Sequence, residues 1–195
     1  MTDRTAAVRR QTAETNIELS LDLDGVGRAD VDTGLAFLDH MIHALVKHAR
    51  FDLSLACEGD LEVDDHHTVE DCALALGEAL ERALGEKRGI TRFGSAYAPL
   101  DEALSRAVVD LSGRPHASVD IGFTREGLGD VATENLTHFL ESFATRGRFT
   151  LHVNVLEGRN DHHRVEAAFK SLALALRDAV KVTHEEIPST KDVLE

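Results

Sequence analysis

The stretch DDHHTVED at residues 64–71 sets two adjacent histidines among four carboxylates, and a near-copy, NDHHRVEA, follows at 160–167. On an α-helix, residues i and i+4 lie on one face, so His66 with Glu70, and His162 with Glu166, can grip one ion together. The second histidine of each pair, His67 or His163, is turned about 100° away and must serve something else. Imidazole nitrogens and carboxylate oxygens are intermediate-to-hard donors, which suit Mn, Fe or Zn better than Ca or Cu(I).

Two more histidines keep step with these motifs. His40 recurs as His138 at an offset of 98, as does the pair Arg50-Phe51 in Arg148-Phe149, while the HHxxE motifs are offset by 96, as a two-residue loop deletion would produce. Matched elements in the same order predict an internal duplication, and two copies are too few for a solenoid. Six histidines and two glutamates then divide into two sites of four protein groups. His66, Glu70, His138 and His163 would hold one ion, and His162, Glu166, His40 and His67 the other, each repeat lending its aside-pointing histidine to the opposite site. An octahedral ion with four protein ligands keeps two positions for water or substrate. The pattern is not HExxH, in which a glutamate between two ligand histidines serves as base. Nor is it a ferritin-like bundle, because the ExxH order is reversed and strand-like segments interrupt the helices. Asp39, Asp65, Asp71 and Asp161 are candidates to orient ligand imidazoles, with an ordinary helix-start role as the alternative. His43, His116, His152 and His184 read as ordinary histidines; His48, two turns after His40, is placed to reach the same pocket.

The elements that position these residues are legible in part. NIELSLDLD (16–24) alternates with period two and predicts a half-buried strand. LAFLDHMIHALVKHA (35–49) has helical spacing after Thr33-Gly34. Residues 50–63 read as a strand and turn with a possible second strand, and 65–84 as a helix stopping at Gly85. The second half repeats the order: two strands in 103–123 broken at SGRP, a helix over 134–147, a strand over 148–158 and a long helix over 161–183. An α/β fold follows, with helices packed on a mixed sheet.

With 35 acidic against 21 basic residues, a formal charge of −14 argues against nucleic acid or an anionic membrane surface as partner, so any anionic ligand must find its cations locally. The two cysteines, Cys57 and Cys72, lack CxxC spacing, no apolar run is long enough for a bilayer, and the N-terminus lacks a signal peptide's apolar stretch; a reducing cytoplasm is the expected setting.

RQTAET (10–15), TGLAFLDHM (33–41), the two HHxxE segments, NDHHRVEAAFKS (160–171) and PSTK (188–191) together resemble imidazoleglycerol-phosphate dehydratase, from about Arg9 to Lys191. The resemblance implies a duplicated fold like the second domain of ribosomal protein S5, with half-repeats at about 9–93 and about 94–187 in one catalytic domain and a substrate-binding tail at 188–195. It also implies two Mn(II) ions per active site at subunit contacts, and trimers assembled into a 24-subunit homo-oligomer. The implied reaction dehydrates D-erythro-imidazole-glycerol phosphate to imidazole-acetol phosphate in histidine biosynthesis. Because the carbon that loses a proton has no adjacent carbonyl, the ring, bound as imidazolate, must push out the hydroxyl to give a diazafulvene-like species. The family pattern assigns proton transfer to Glu14 and substrate contacts to Glu14, His48, Arg92, Arg114, Lys170, Ser189 and Lys191. Arginine forks suit a phosphate dianion and lysine adds a point charge. Two positions depart from the pattern: Asp192 follows STK where the family has glycine, and His48-Ala49 replaces His-Gly. The competing readings are a di-metal hydrolase of a phosphorylated small molecule and an oligomer merely cemented by metal.

Overall fold

The computed structural model describes residues 4–191, 193 and 194; Asp192, the departure in the tail, lies outside them. The first half runs β1 (Thr5–Gln11), β2 (Thr15–Asp22), β3 (Ala29–Asp32), α1 (Ala36–Ala49), β4 (Asp52–Gly59) and α2 (His66–Leu84). The second runs β5 (Phe93–Leu100), β6 (Ala103–Asp110), β7 (His116–Asp120), a short hairpin of β8 (Gly127–Leu128) and β9 (Val131–Ala132), then α3 (Thr133–Arg146), β10 (Thr150–Glu157) and α4 (Asp161–Ala179).

Each half forms a four-stranded sheet of the same plan. The strand orders are β1-β2-β4-β3 and β5-β6-β10-β7, antiparallel except for the last pair in each. A parallel pair needs a crossover, and α1 joins β3 to β4 as α3 joins β7 to β10. Period-two burial drives the sheets: Ile17, Leu19 and Leu21 of β2 face inward while the residues between them face water. Helices α1 and α2 lie on the first sheet and α3 and α4 on the second. The helix pairs then meet face to face, α1 against α4 and α2 against α3, in one continuous core between the sheets.

The repeated Arg-Phe pair now has a physical reason. Arg50 ends α1 and Arg148 follows α3, both in the left-handed region at φ 63° and 52°, turning the chain from helix to strand. Phe51 and Phe149 then plug the core, only 4% and 0% exposed.

Helices α2 and α3 pack closely at Gly77, where a Cβ would stand 2.7 Å from both the Gly147 nitrogen and the Phe143 carbonyl oxygen. Both neighbours are backbone and cannot swing aside. Gly77→Ala is therefore expected to destabilise the protein by about 1–3 kcal/mol, as overpacking does, read as a lowered midpoint in denaturant; an unchanged midpoint would refute the close-contact argument.

Differences from the sequence-based expectation are confined to weak signals. There are two mixed sheets rather than one. Residues 61–63 form a turn instead of a second strand, and α4 ends at Ala179, after which Val182 makes an isolated bridge to Ile90. The edge strands β1, β3 and β5 and the two-residue strands β8 and β9 escaped prediction: β1 buries only Val8, β3 is four residues long, and β5 buries only Gly94 and Ala98. No helix among the described residues is long and apolar enough to cross a membrane.

Candidate metal centre and substrate clefts

The helix pairs bring together two clusters, each drawing on both halves of the chain. In the first, HHxxE at the start of α2 meets His138 of α3: Glu70 lies 3.6 Å from His66 Nε2 and 3.3 Å from His138 Nε2. In the second, HHxxE at the start of α4 meets His40 of α1: Glu166 Oε2 lies 3.1 Å from His162 Nε2 and 3.3 Å from His40 Nε2. Each trio offers one donor atom per residue within 4.8 Å of the others. Donors about 2.1 Å from one ion and at right angles to each other lie about 3 Å apart, so the spacing fits a divalent ion. The i,i+4 rule put each histidine beside its own glutamate; the partner across the helix interface depended on tertiary packing.

The rings are held from behind. His66 Nδ1 stands 3.0 Å from the Asn135 side-chain oxygen, leaving Nε2 for the cluster. Phe37 packs edge-on against both His162 and His40. Glu166 also takes the Lys170 ammonium at 2.6 Å. Burial alone would raise the Glu166 carboxyl, but Lys170 and the two imidazoles outweigh it and keep it below the usual range.

His67 and His163, expected to complete the opposite sites, join neither cluster within the single chain. Their rings point off the shared helix face and are anchored to loops of their own half. His67 Nδ1 sits 3.0 Å from Asp60 and its Nε2 3.7 Å from Glu14. His163 Nδ1 sits 2.7 Å from Glu102 and its Nε2 4.0 Å from Asp101. Hydrogen bonds from His163 and from the Asn160 and Arg159 amides lower the Glu102 carboxyl to about 2. Of the carboxylates beside these rings, Glu14 belongs to the RQTAET segment that carries the family resemblance, whereas Asp60, Asp101 and Glu102 had no sequence signal, because they come from loops whose fold sets their position.

None of the four aspartates considered as imidazole orienters bonds to a ligand ring. Asp39 accepts from the Thr33 amide and hydroxyl, Asp65 from the Ala132 amide, Asp71 from Arg10 and Thr15, and Asp161 from the Thr124 and Arg125 amides. They tie loops and helix starts together instead.

Four of the seven substrate candidates, His48, Lys170, Arg92 and Ser189, fall in two clefts with no residue in common. His40, His43, Lys47, His48, Glu166 and Lys170 line one beside the second cluster, where burial first, and then the Lys170 charge, lowers the His48 pKa. Arg92, His184, Pro188 and Ser189 line the other. There the Arg92 fork is already engaged by Asp110 and the Pro188 carbonyl. Arg114 is exposed in the turn before β7, Lys191 is exposed in the tail, and the Ser189 hydroxyl accepts from the Lys191 amide. Glu14 is exposed in the β1–β2 turn, its amide held by the Thr12 hydroxyl.

The imidazoleglycerol-phosphate dehydratase family model matches residues 33–176, which include all the clustered histidines and both glutamates. The chain is 56% identical to the imidazoleglycerol-phosphate dehydratase of Phaffia rhodozyma, over 98% of its own length and 96% of that protein. This chain belongs to the imidazoleglycerol-phosphate dehydratase family. It is thereby a hydro-lyase of histidine biosynthesis. It is also 57% identical to the imidazoleglycerol-phosphate dehydratase of Phytophthora nicotianae, of which it spans 42%. The crystal structure of the dehydratase from Pyrococcus furiosus superposes with a TM-score of 0.83 at 39% identity, covering 96% of this chain and all of that one. The α/β fold with matched halves is therefore that of imidazoleglycerol-phosphate dehydratases.

Proposed function

We propose that the chain dehydrates D-erythro-imidazole-glycerol phosphate to imidazole-acetol phosphate at sites that each hold two Mn(II) ions. The observation that carries the reading is the pair of imidazole–imidazole–carboxylate clusters, whose donor types and spacing fit such an ion. His66, Glu70 and His138 would hold one ion, and His40, His162 and Glu166 the other. When bound, the ions supply Lewis acidity that favours the substrate ring as imidazolate, the electron source that expels the neighbouring hydroxyl.

The chain's own groups do the rest. Glu14, exposed in the β1–β2 turn 3.7 Å from His67 Nε2, would move the proton of the carbon next to the one losing hydroxide. Lys170 and His48 present positive and hydrogen-bonding groups to the substrate beside the second cluster. Arg92, Arg114, Ser189 and Lys191 serve the phosphate, for which a chain of charge −14 needs local cations. Because the two clefts are separate, and His67 and His163 face away from the clusters of their own chain, we assign these residues to sites completed by neighbouring subunits. His67 joins a second chain's His40, His162 and Glu166, and His163 a second chain's His66, Glu70 and His138. The assembly is then a homo-oligomer, trimers building a 24-mer. Residues 1–195 act as one catalytic domain of two repeats, about 9–93 and about 94–187, with 188–195 as the phosphate-binding tail, in the cytoplasm, where two buried thiols stay reduced.

Incubating the purified protein with Mn(II) and imidazole glycerol phosphate is expected to yield the keto product without inorganic phosphate, and chelation should stop it. Release of phosphate would instead establish the hydrolase.

A further inference from the structure

We infer that Asp60 and Glu102 are positioning residues of the metal centre, each locking one aside-pointing histidine in the tautomer that leaves Nε2 as an outward-facing lone pair. The inference rests on the reading of His67 and His163 as metal ligands and goes beyond it by naming what aims them.

Both rings are gripped at the same atom. His67 Nδ1 lies 3.1 and 3.0 Å from the two oxygens of Asp60, and His163 Nδ1 lies 2.7 Å from Glu102 Oε2. A carboxylate accepts only, so Nδ1 carries the proton and Nε2 is the basic nitrogen. Neither Nε2 has a hydrogen-bond partner among the described residues, the nearest carboxylates standing 3.7 and 4.0 Å away. Carboxylates that hold the far nitrogen of a ligand imidazole set its orientation and raise its basicity.

The two halves reach this grip with different parts. In the first, the acid comes from the loop before α2, and the β1–β2 turn supports it by accepting the Asp60 amide on the Glu14 carbonyl at 3.1 Å. In the second, the acid comes from the β5–β6 turn, and the loop before α4 supports it: the Arg159 and Asn160 amides donate to Glu102 Oε1 at 3.0 and 2.8 Å. Asp60 and Glu102 therefore occupy different places in the duplicated plan. What the halves share is the outcome, a ring clamped by a carboxylate at Nδ1 and open at Nε2.

The difference allows a test that a merely structural role would not pass. In Glu102→Gln the amide oxygen can keep the two backbone donors, and its NH2 then faces His163 Nδ1, which must become the acceptor and place the proton on Nε2. Loop and helix start survive, but the ligand nitrogen is blocked. Asn at position 60 has no such clamp and can turn its oxygen to the ring, so Asp60→Asn is expected to be milder than Asp60→Ala. Binding of Mn(II) to the assembled, metal-stripped protein is followed by the electron paramagnetic resonance of free Mn(II). Glu102→Gln should weaken one of the two ions per chain about 10–100-fold, and Glu102→Gln combined with His163→Ala should bind no more weakly than His163→Ala alone. Wild-type binding by Glu102→Gln, with one ion lost in His163→Ala, overturns the positioning role while sparing the ligand reading. Both ions retained in His163→Ala overturns the ligand reading, and the inference with it.

Discussion

Glu166→Ala is expected to release one of two Mn(II) ions per chain and to lower kcat/KM for dehydration by at least about 10³-fold, the equivalent of about 4 kcal/mol of transition-state stabilisation. Among the described residues Glu166 is the only carboxylate of its cluster, and it gathers His40, His162 and the Lys170 ammonium. Without it, the ligand imidazoles and the Lys170 ammonium would face a divalent ion with no carboxylate charge from the cluster to offset the repulsion. Glu166→Gln keeps the shape and loses the charge, so it should follow the alanine variant. The other cluster shares no residue with this one and should keep its ion. Elemental analysis of the dialysed protein beside steady-state kinetics checks both halves of the prediction. A full metal complement in Glu166→Ala would sink the assignment.

Glu14→Gln should separate chemistry from assembly. A general acid or base contributes about 10²–10⁴-fold, so kcat should fall by that factor while metal content and particle size stay unchanged. Glu14 is exposed, and its turn is held by backbone groups and Thr12, none of which the substitution alters. Metal and assembly retained with turnover lost would eliminate an oligomer merely cemented by metal. Unchanged turnover would remove Glu14 from the mechanism.

Much of the site was legible because its strongest signals are local. The i,i+4 spacing of HHxxE follows from helical geometry, and the structure places His66 beside Glu70 and His162 beside Glu166. The matched offsets identified His40 and His138 as equivalent positions but not which motif each joins; the proposed wiring of His138 with the first motif and His40 with the second agrees with the helix interfaces, which bring those residues together. Central strands such as β2 announced themselves through alternation, whereas β1 and β3 lie at sheet edges and bury too little to show a pattern. The aspartates next to the motifs drew attention by proximity in sequence, yet they tie loops and helix starts.

By itself, then, the sequence determined the periodicities, the repeated order of elements, the ligand alphabet and the family, because each is written within one turn of helix, one strand or a run of matched residues. Only the tertiary structure decided that the repeats close as two sheets around four helices and that the helix pairs α1 with α4 and α2 with α3 carry the clusters. It alone showed that His67 and His163 turn away from the clusters toward Asp60 and Glu102. Those contacts join residues distant in the chain, such as Glu102 and His163, and their geometry is set by how helices pack and loops close, for which neighbouring letters carry no record.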